Sequence, residues 1–277
     1  MTASTASLGD LLARGKTIRK HIITSTTTAG SGHPTSSLSA VEAAVALYFG
    51  GLLRHDPKNP HWPQRDRFIL SKGHAAPLLY AVLAEAGYFP VSELATLRKL
   101  DSPLEGHPNM RRLPGVEAST GSLGQGLSIG LGQVLAARLD GRDSRAFVLT
   151  GDGELDEGQV WEAATAAAKY KADHLTAIVD ENGYQQTGPT AEVLDLKPLA
   201  PRWQAFGWHA EEINGNDMEA MLKALQKAVA VKGRPSVVIA RTVKGWPIQG
   251  LLSKDPNHHG KPLTADEAAK ALALLDA

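Results

Sequence analysis

An aspartate held between two glycines, Gly151-Asp152-Gly153, is followed thirty residues later by Asn182 in the run Val179-Asp180-Glu181-Asn182-Gly183-Tyr184. Hard oxygen donors of this kind suit Mg²⁺, which takes six oxygen ligands near octahedral geometry. It draws only one or two of them from side chains, the others from phosphate, water or backbone carbonyls. Asp152, Asn182 and the carbonyl of Tyr184 fit that count as metal ligands. Gly151 and Gly153 place no side chain in the way of a diphosphate, and a loop leading into a helix N-terminus offers amides that favour an anion. No P-loop signature with its lysine accompanies them. On the three residues alone, an ordinary strand-to-helix turn with Asp152 as N-cap competes with this reading. The Asn-Gly pair one element later favours the diphosphate site.

Both polar groups need elements to position them. The apolar run 146–150 reads as a buried strand, 157–170 as a helix and 175–179 as a second strand. A right-handed crossover sets the carboxyl ends of two such strands side by side, where open α/β sheets bind ligands. Further strands are expected at 68–70, 208–213 and 236–240, and helices at 8–29, 77–86, 199–206, 218–231 and 265–275. The apolar stripe Leu38, Val41, Ala44, Val45, Leu47 predicts one helix capped by Ser36 or Ser37. Residues 184–197 lack periodicity, and 242–261 read as loop. The alternation predicts an α/β fold: a doubly wound, mostly parallel sheet with helices on both faces.

No shift in composition divides the 277 residues, so a single domain over 1–277 is expected. Twenty-nine basic and twenty-nine acidic residues cancel, which argues against a nucleic-acid partner. With no cysteine there is neither disulfide nor thiolate chemistry. Neither a leader pattern nor a long apolar run is present, so the expectation is a cytoplasmic protein without membrane attachment. No internal repeat occurs, and the one biased tract is a short Thr/Ser/Ala stretch at the N-terminus.

Four histidines fall in segments without helical periodicity: His33 after a Gly-Ser-Gly turn, His74 just beyond the strand at 68–70, His107 within the proline-containing segment 101–119, and His259. A long irregular segment in a compact domain is usually functional. A lone loop histidine is more often solvated or locally bonded, but imidazoles near pH 7 can also hold phosphate, bind sugar hydroxyls and move protons. Gly121-Ser122-Leu123-Gly124-Gln125-Gly126 opens a helix whose glycines allow either close approach to a ligand or close packing. Glu157 and Glu162 flank a helix start, where carboxylates are also favoured by the macrodipole alone.

Taken together, these motifs resemble the thiamine diphosphate enzymes and, within them, the N-terminal part of the transketolases. The resemblance rests on the Gly-Asp-Gly to Asn interval, Ser31-Gly32-His33-Pro34, the run 65–74, Gly106-His107-Pro108, Gly115-Val116-Glu117, Thr120-Gly121-Ser122-Leu123-Gly124-Gln125-Gly126, Phe206-Gly207-Trp208-His209 and His259-Gly260-Lys261-Pro262-Leu263. It implies thiamine diphosphate and Mg²⁺ as cofactors, with His74, Gly121, Ser122, Leu123, Gly153, Asn182 and His259 around the cofactor. It also implies that His33, His107 and His259 bind the sugar substrate, and that His33 and His259 act at the reacting carbonyl. Glu157 and Glu162 would face a neighbouring chain. Ser122 departs from the pattern, in which proline is common. His258 reads as a bystander, and His21, His55, His61, His174 and His209 as surface or structural residues.

The resemblance also implies a missing part. The family activates the cofactor with a glutamate on a pyrimidine-binding domain, for which this sequence has no counterpart. The expectation is therefore the diphosphate-binding subunit of a split transketolase, completed by a C-terminal subunit in an α2β2 heterotetramer and acting on sugar phosphates. A deoxyxylulose-phosphate synthase-like or 2-oxo acid dehydrogenase-like subunit is the alternative enzyme, with both Gly-His-Pro motifs against it. A non-catalytic cofactor-binding chain is the alternative outside catalysis.

Overall fold

A computed structural model of the chain describes residues 6–251 and 258–277. Most of the N-terminal Thr/Ser/Ala tract and part of the loop expected at 242–261 lie outside the described residues. Five strands form the main sheet: β1 (Arg67–Leu70), β2 (Ala146–Gly151), β3 (Leu175–Glu181), β6 (His209–Asn214) and β7 (Ser236–Arg241). They run in the order β1-β2-β3-β7-β6 with every pairing parallel. A two-stranded antiparallel ribbon, β4 (Tyr184–Gln185) with β5 (Gly188–Pro189), stands apart from it.

Apolar residues fill successive strand positions because both faces of a parallel sheet are covered. Phe68, Leu70, Phe147, Leu149, Ile178 and Val238 join one core. That core is shared with α1 (Leu8–Ala29), α3 (Val41–Phe49), α4 (Ala76–Glu85), α9 (Met218–Ala230) and α10 (Ala265–Asp276). Ile69, Val148, Ala177, Val179, Val237 and Ile239 point the other way, into the layer of α5 (Gln125–Leu139), α6 (Gly158–Lys169) and α8 (Leu199–Ala205). Capping boxes hold the starts of two helices, Ser7 with Asp10 for α1 and Thr264 with Glu267 for α10. The expected doubly wound α/β architecture is the one found.

Two local expectations are corrected. The stripe from Leu38 to Leu47 is two helices, α2 (Pro34–Leu38) and α3, and Ser36 and Ser37 lie inside the first instead of capping it. Pro34 begins α2, and the break after it leaves Ser39 free to donate to Asp180 at 2.7 Å. Residues 184–197 carry the β4–β5 ribbon and one short helix, α7 (Thr190–Val193), elements too short to produce a detectable period.

Candidate functional site

Chain direction creates the site. After β3 the chain leaves for α8 in one helix layer, whereas after β7 it leaves for α10 in the other, and β3 and β7 are neighbours. Such a reversal opens a crevice at the carboxyl ends of the strands. A cavity of about 460 Å³ lies there, lined among others by His33, His74, His107, Asp152, Asn182 and His259.

Asp152 is the first residue beyond β2 and is buried. Its Oδ1 accepts the Gly153 N–H at 3.0 Å, as in an N-cap, but its Oδ2 accepts the Gly183 N–H at 2.8 Å and so ties the β2 loop to the β3 loop. Asn182 Nδ2 donates to Asp180 Oδ2 at 2.9 Å, while Oδ1 accepts the Tyr184 N–H at 3.1 Å. Burial, followed by the charge of Asp180, pushes the Asp152 carboxyl up to about 7. Among the described residues no basic side chain lies within 4 Å of it. A divalent cation would supply the charge that Asp152 lacks, and the residues therefore fit the expected metal. No cluster of three or more His, Cys, Asp or Glu side chains suited to a metal occurs among the described residues. An ion bound at Asp152, Asn182 and the Tyr184 carbonyl would depend on ligand oxygens for the remainder of its shell.

Beneath this layer lies a buried network that sequence reasoning did not assign. Asp180 is fully enclosed and accepts from Ser39, Asn182, Thr242 and the ammonium of Lys72. Burial alone would raise its pKa, but Lys72 and the hydroxyl donors bring it below the ordinary range. Glu154 accepts from Ser71 Oγ, from Gly124 N–H at 2.9 Å and from Gly151 N–H at 3.1 Å, locking the glycine-containing turn to the end of β1. Gly126 packs so tightly that a Cβ there would sit 2.3 Å from Ser71 Oγ.

Over the cavity, the rings of His33, His74 and His259 form a triangle with centroid separations of 5.2, 5.0 and 5.2 Å. Burial, followed by the charge His259 would carry if protonated and by Arg98, depresses His33 to about 3. Burial and Lys244 depress His259 to about 4, and burial with Lys72 carries His74 lower still. Burial thus favours the neutral form of all three rings. Lys244 is buried in the wall of the same cavity, its ammonium 3.1 Å from His259 Nδ1. His107 lines the same cavity, and its ring rests where a Cβ on Gly121 would fall, 2.9 Å away. Gly121, Leu123, Gly153 and Tyr184 also line it; Ser122 is exposed and does not. Glu157 lies on the rim, and Glu162 is exposed on α6.

Residues 13–275 match the model for the transketolase thiamine diphosphate binding domain. The chain belongs to the transketolase family. It is 42% identical over 267 residues to a 6-deoxy-6-sulfo-D-fructose transketolase subunit of Clostridium sp. (strain MSTE9), with 96% of each chain covered. It is 42% identical over 270 residues to an apulose-4-phosphate transketolase subunit of Actinobacillus succinogenes, with 97% of each covered. Among solved structures, the transketolase of Campylobacter jejuni superposes with a TM-score of 0.89 at 31% identity, covering 97% of this chain and 43% of that one. The chain thus spans nearly all of two dedicated subunits but about two fifths of that larger enzyme. These matches make it one subunit of a transketolase, an enzyme component of the thiamine diphosphate-dependent class that transfers ketol groups.

Each site histidine named from the sequence therefore reaches one transketolase cavity. Lys72, Asp180, Glu154 and Lys244 were missed as contributors. Their one visible signal was position, each within three residues of a strand end.

Proposed function

We propose that this transketolase subunit transfers a two-carbon ketol unit from a ketose phosphate to an aldose phosphate, together with a second subunit that carries the pyrimidine-binding domain. The observation that carries the reading is the triangle of His33, His74 and His259 in one cavity with Asp152 and Asn182. Thiamine diphosphate, when bound, supplies the carbon nucleophile for ketol transfer. Asp152, Asn182 and the Tyr184 carbonyl would hold Mg²⁺ against its diphosphate, with Gly121, Leu123, Gly153 and His74 close by. Lys72 and Lys244 add positive charge around that anion. His33 and His259 would donate to an oxygen that gains charge at the reacting carbonyl, and a neutral imidazole can also accept the proton of a substrate hydroxyl. His107, farther along the cavity wall, suits the hydroxyl end of the donor.

The two subunit relatives are named for ketoses, 6-deoxy-6-sulfo-D-fructose and apulose-4-phosphate, which supports a ketose donor for this chain as well. Being named as subunits, they support a partner chain, and we assign the assembly as two copies of each. One diphosphate-binding domain over 1–277 then meets its counterpart across the cavity mouth. No helix of the described residues is long and apolar enough to cross a membrane, and a cytoplasmic site of action is proposed on the cysteine-free composition. The test is an assay of ketol transfer by the purified chain alone and after mixing with a pyrimidine-domain partner, with Mg²⁺ and thiamine diphosphate present. Activity is expected only in the mixture; robust transfer by the isolated chain would refute the divided site.

A further inference from the structure

At the opposite end of the sheet, a second polar cleft of about 110 Å³ lies where β1 and β2 begin and α5 ends. Arg67, Arg142 and Arg145 line it together with Ser144 and Gln133. Three of its polar atoms are buried without any hydrogen-bond partner: Arg145 Nη1, Ser144 Oγ and Gln133 Oε1. Native folds keep such atoms to a few per hundred residues, because each loses its water without replacement, and three of them converge on this one cleft. Lining one cleft, they suit a ligand with both acceptors and a donor. We propose that this cleft is an anion site for a phosphate group carrying one protonated oxygen, separate from the ketol-transfer cavity.

The charge balance supports an anion. Glu117 is taken by Arg65 and, at 3.4 Å, by Arg67, and Asp140 pairs with Arg142. Arg145 has no carboxylate within 4 Å among the described residues. Burial, with Arg65 and Arg142 close by, holds Arg67 below the usual guanidinium range although Glu117 opposes this. The carboxyl end of α5, Asp140, Glu117 and Asp66, whose Oδ1 accepts the Arg145 backbone N–H at 2.8 Å, work against a negative ligand. Arg145 is the lining guanidinium without a carboxylate partner among the described residues, and planar N–H donors match phosphate oxygens. In the proposed complex, phosphate oxygens accept from Arg145 Nη1 and Ser144 Oγ, and the P–OH donates to Gln133 Oε1. The side-chain amide of Gln133 is held by its own Nε2, which donates to the Glu117 carbonyl at 3.3 Å.

Titration calorimetry of the purified full chain with inorganic phosphate at constant ionic strength tests the site. Ser144→Ala, which deletes one hydroxyl, is expected to weaken this binding about tenfold, the effect of a hydrogen bond to a charged group. Arg145→Met is expected to abolish it without lowering the melting temperature of the phosphate-free chain. His74→Asn, in the other cavity, is expected to retain it. Sulfate, which has acceptors only, should bind about tenfold more weakly. Displacement of phosphate by glycerol phosphate would identify the ligand as the phosphoryl end of an ester, and failure to displace would identify it as free phosphate. If Arg145→Met does not fold, Ser144→Ala carries the test alone. Absence of phosphate binding, affinity unchanged in Ser144→Ala, or sulfate binding as tight as phosphate would each overturn the proposal.

Discussion

Replacing Lys72 by methionine removes one charge from the most enclosed ion pair in the site and keeps most of the side-chain volume. Lys72 and Asp180 are each 1% exposed, so water cannot take over from a lost partner. Removing one member of a buried pair costs about 3–5 kcal/mol. Asp180 would retain Ser39, Asn182 and Thr242 as neutral donors, which places the expected loss near the lower bound, about 3 kcal/mol. Against a typical domain stability of about 5–15 kcal/mol, that is a large but survivable fraction. Adding Asp180→Asn removes the stranded carboxylate, so the double variant should regain about 2 kcal/mol relative to the sum of the single losses. Urea unfolding at pH 7.5, extrapolated to water, measures both quantities. The same experiment bears on function, because Asp180 orients the Asn182 amide through Nδ2, and Lys72→Met should therefore also weaken Mg²⁺-dependent cofactor retention. A single variant within 0.5 kcal/mol of wild type, or a cycle with no coupling, would show that the pair does not organise the site.

Asp152→Ala is expected to abolish Mg²⁺-dependent retention of thiamine diphosphate by the assembled enzyme, and Asn182→Ala to weaken it; cofactor titrations at wild-type affinity in both would remove the metal assignment. His33→Ala and His259→Ala should each lower turnover by about two to three orders of magnitude while the circular dichroism of the chain stays unchanged, and wild-type rates would make the triangle structural. Because folding depresses His33 to about 3 and His259 to about 4, the unfolded chain takes up protons first. Stability of the cofactor-free chain should therefore decline as pH falls below 6.5 and continue to decline toward 4, with a shallower decline in His33→Asn. Equal slopes for the two proteins would contradict the burial of that ring.

What could be read from the sequence depended on range. Asp152 and Asn182 follow two apolar runs in consecutive elements, so strand ends, crossover handedness and ligand chemistry converge on them within a short stretch of chain. His33, His74, His107 and His259 were visible as members of spaced motifs, although nothing local shows that three of the rings meet near 5 Å. Lys72, Asp180 and Lys244 were opaque for a physical reason: a charged side chain reads as solvent-facing until its partner is known. The partners of Asp180 come from between α2 and α3 and from just beyond β1 and β7, at separations of 141, 108 and 62 residues. Ser39 illustrates the same limit. Its neighbours predict a continuing helix, and a hydrogen bond to Asp180 compensates for the break.

Asp152 and the histidine triangle place opposite demands on the cofactor-free fold. Moving a carboxyl from 3.8 to about 7 corresponds to roughly 4 kcal/mol lost by the folded state once the group ionises, a loss that grows as pH rises through that interval. The depressed histidines lose stability in the other direction, as pH falls. Folding thus disfavours a negative Asp152 and positive rings in one cavity, leaving an electrostatic arrangement that a dication and a diphosphate would each relieve from its own side. A dication favours ionised Asp152, and the anion beside it favours donors from the rings, Lys72 and Lys244. Each ligand then improves the site for the other, which is the thermodynamic condition for joint binding. On this reading the instability is confined to groups that touch the ligands, while the ion pair of Lys72 with Asp180 and the bonds to Glu154 hold the surrounding loops in place.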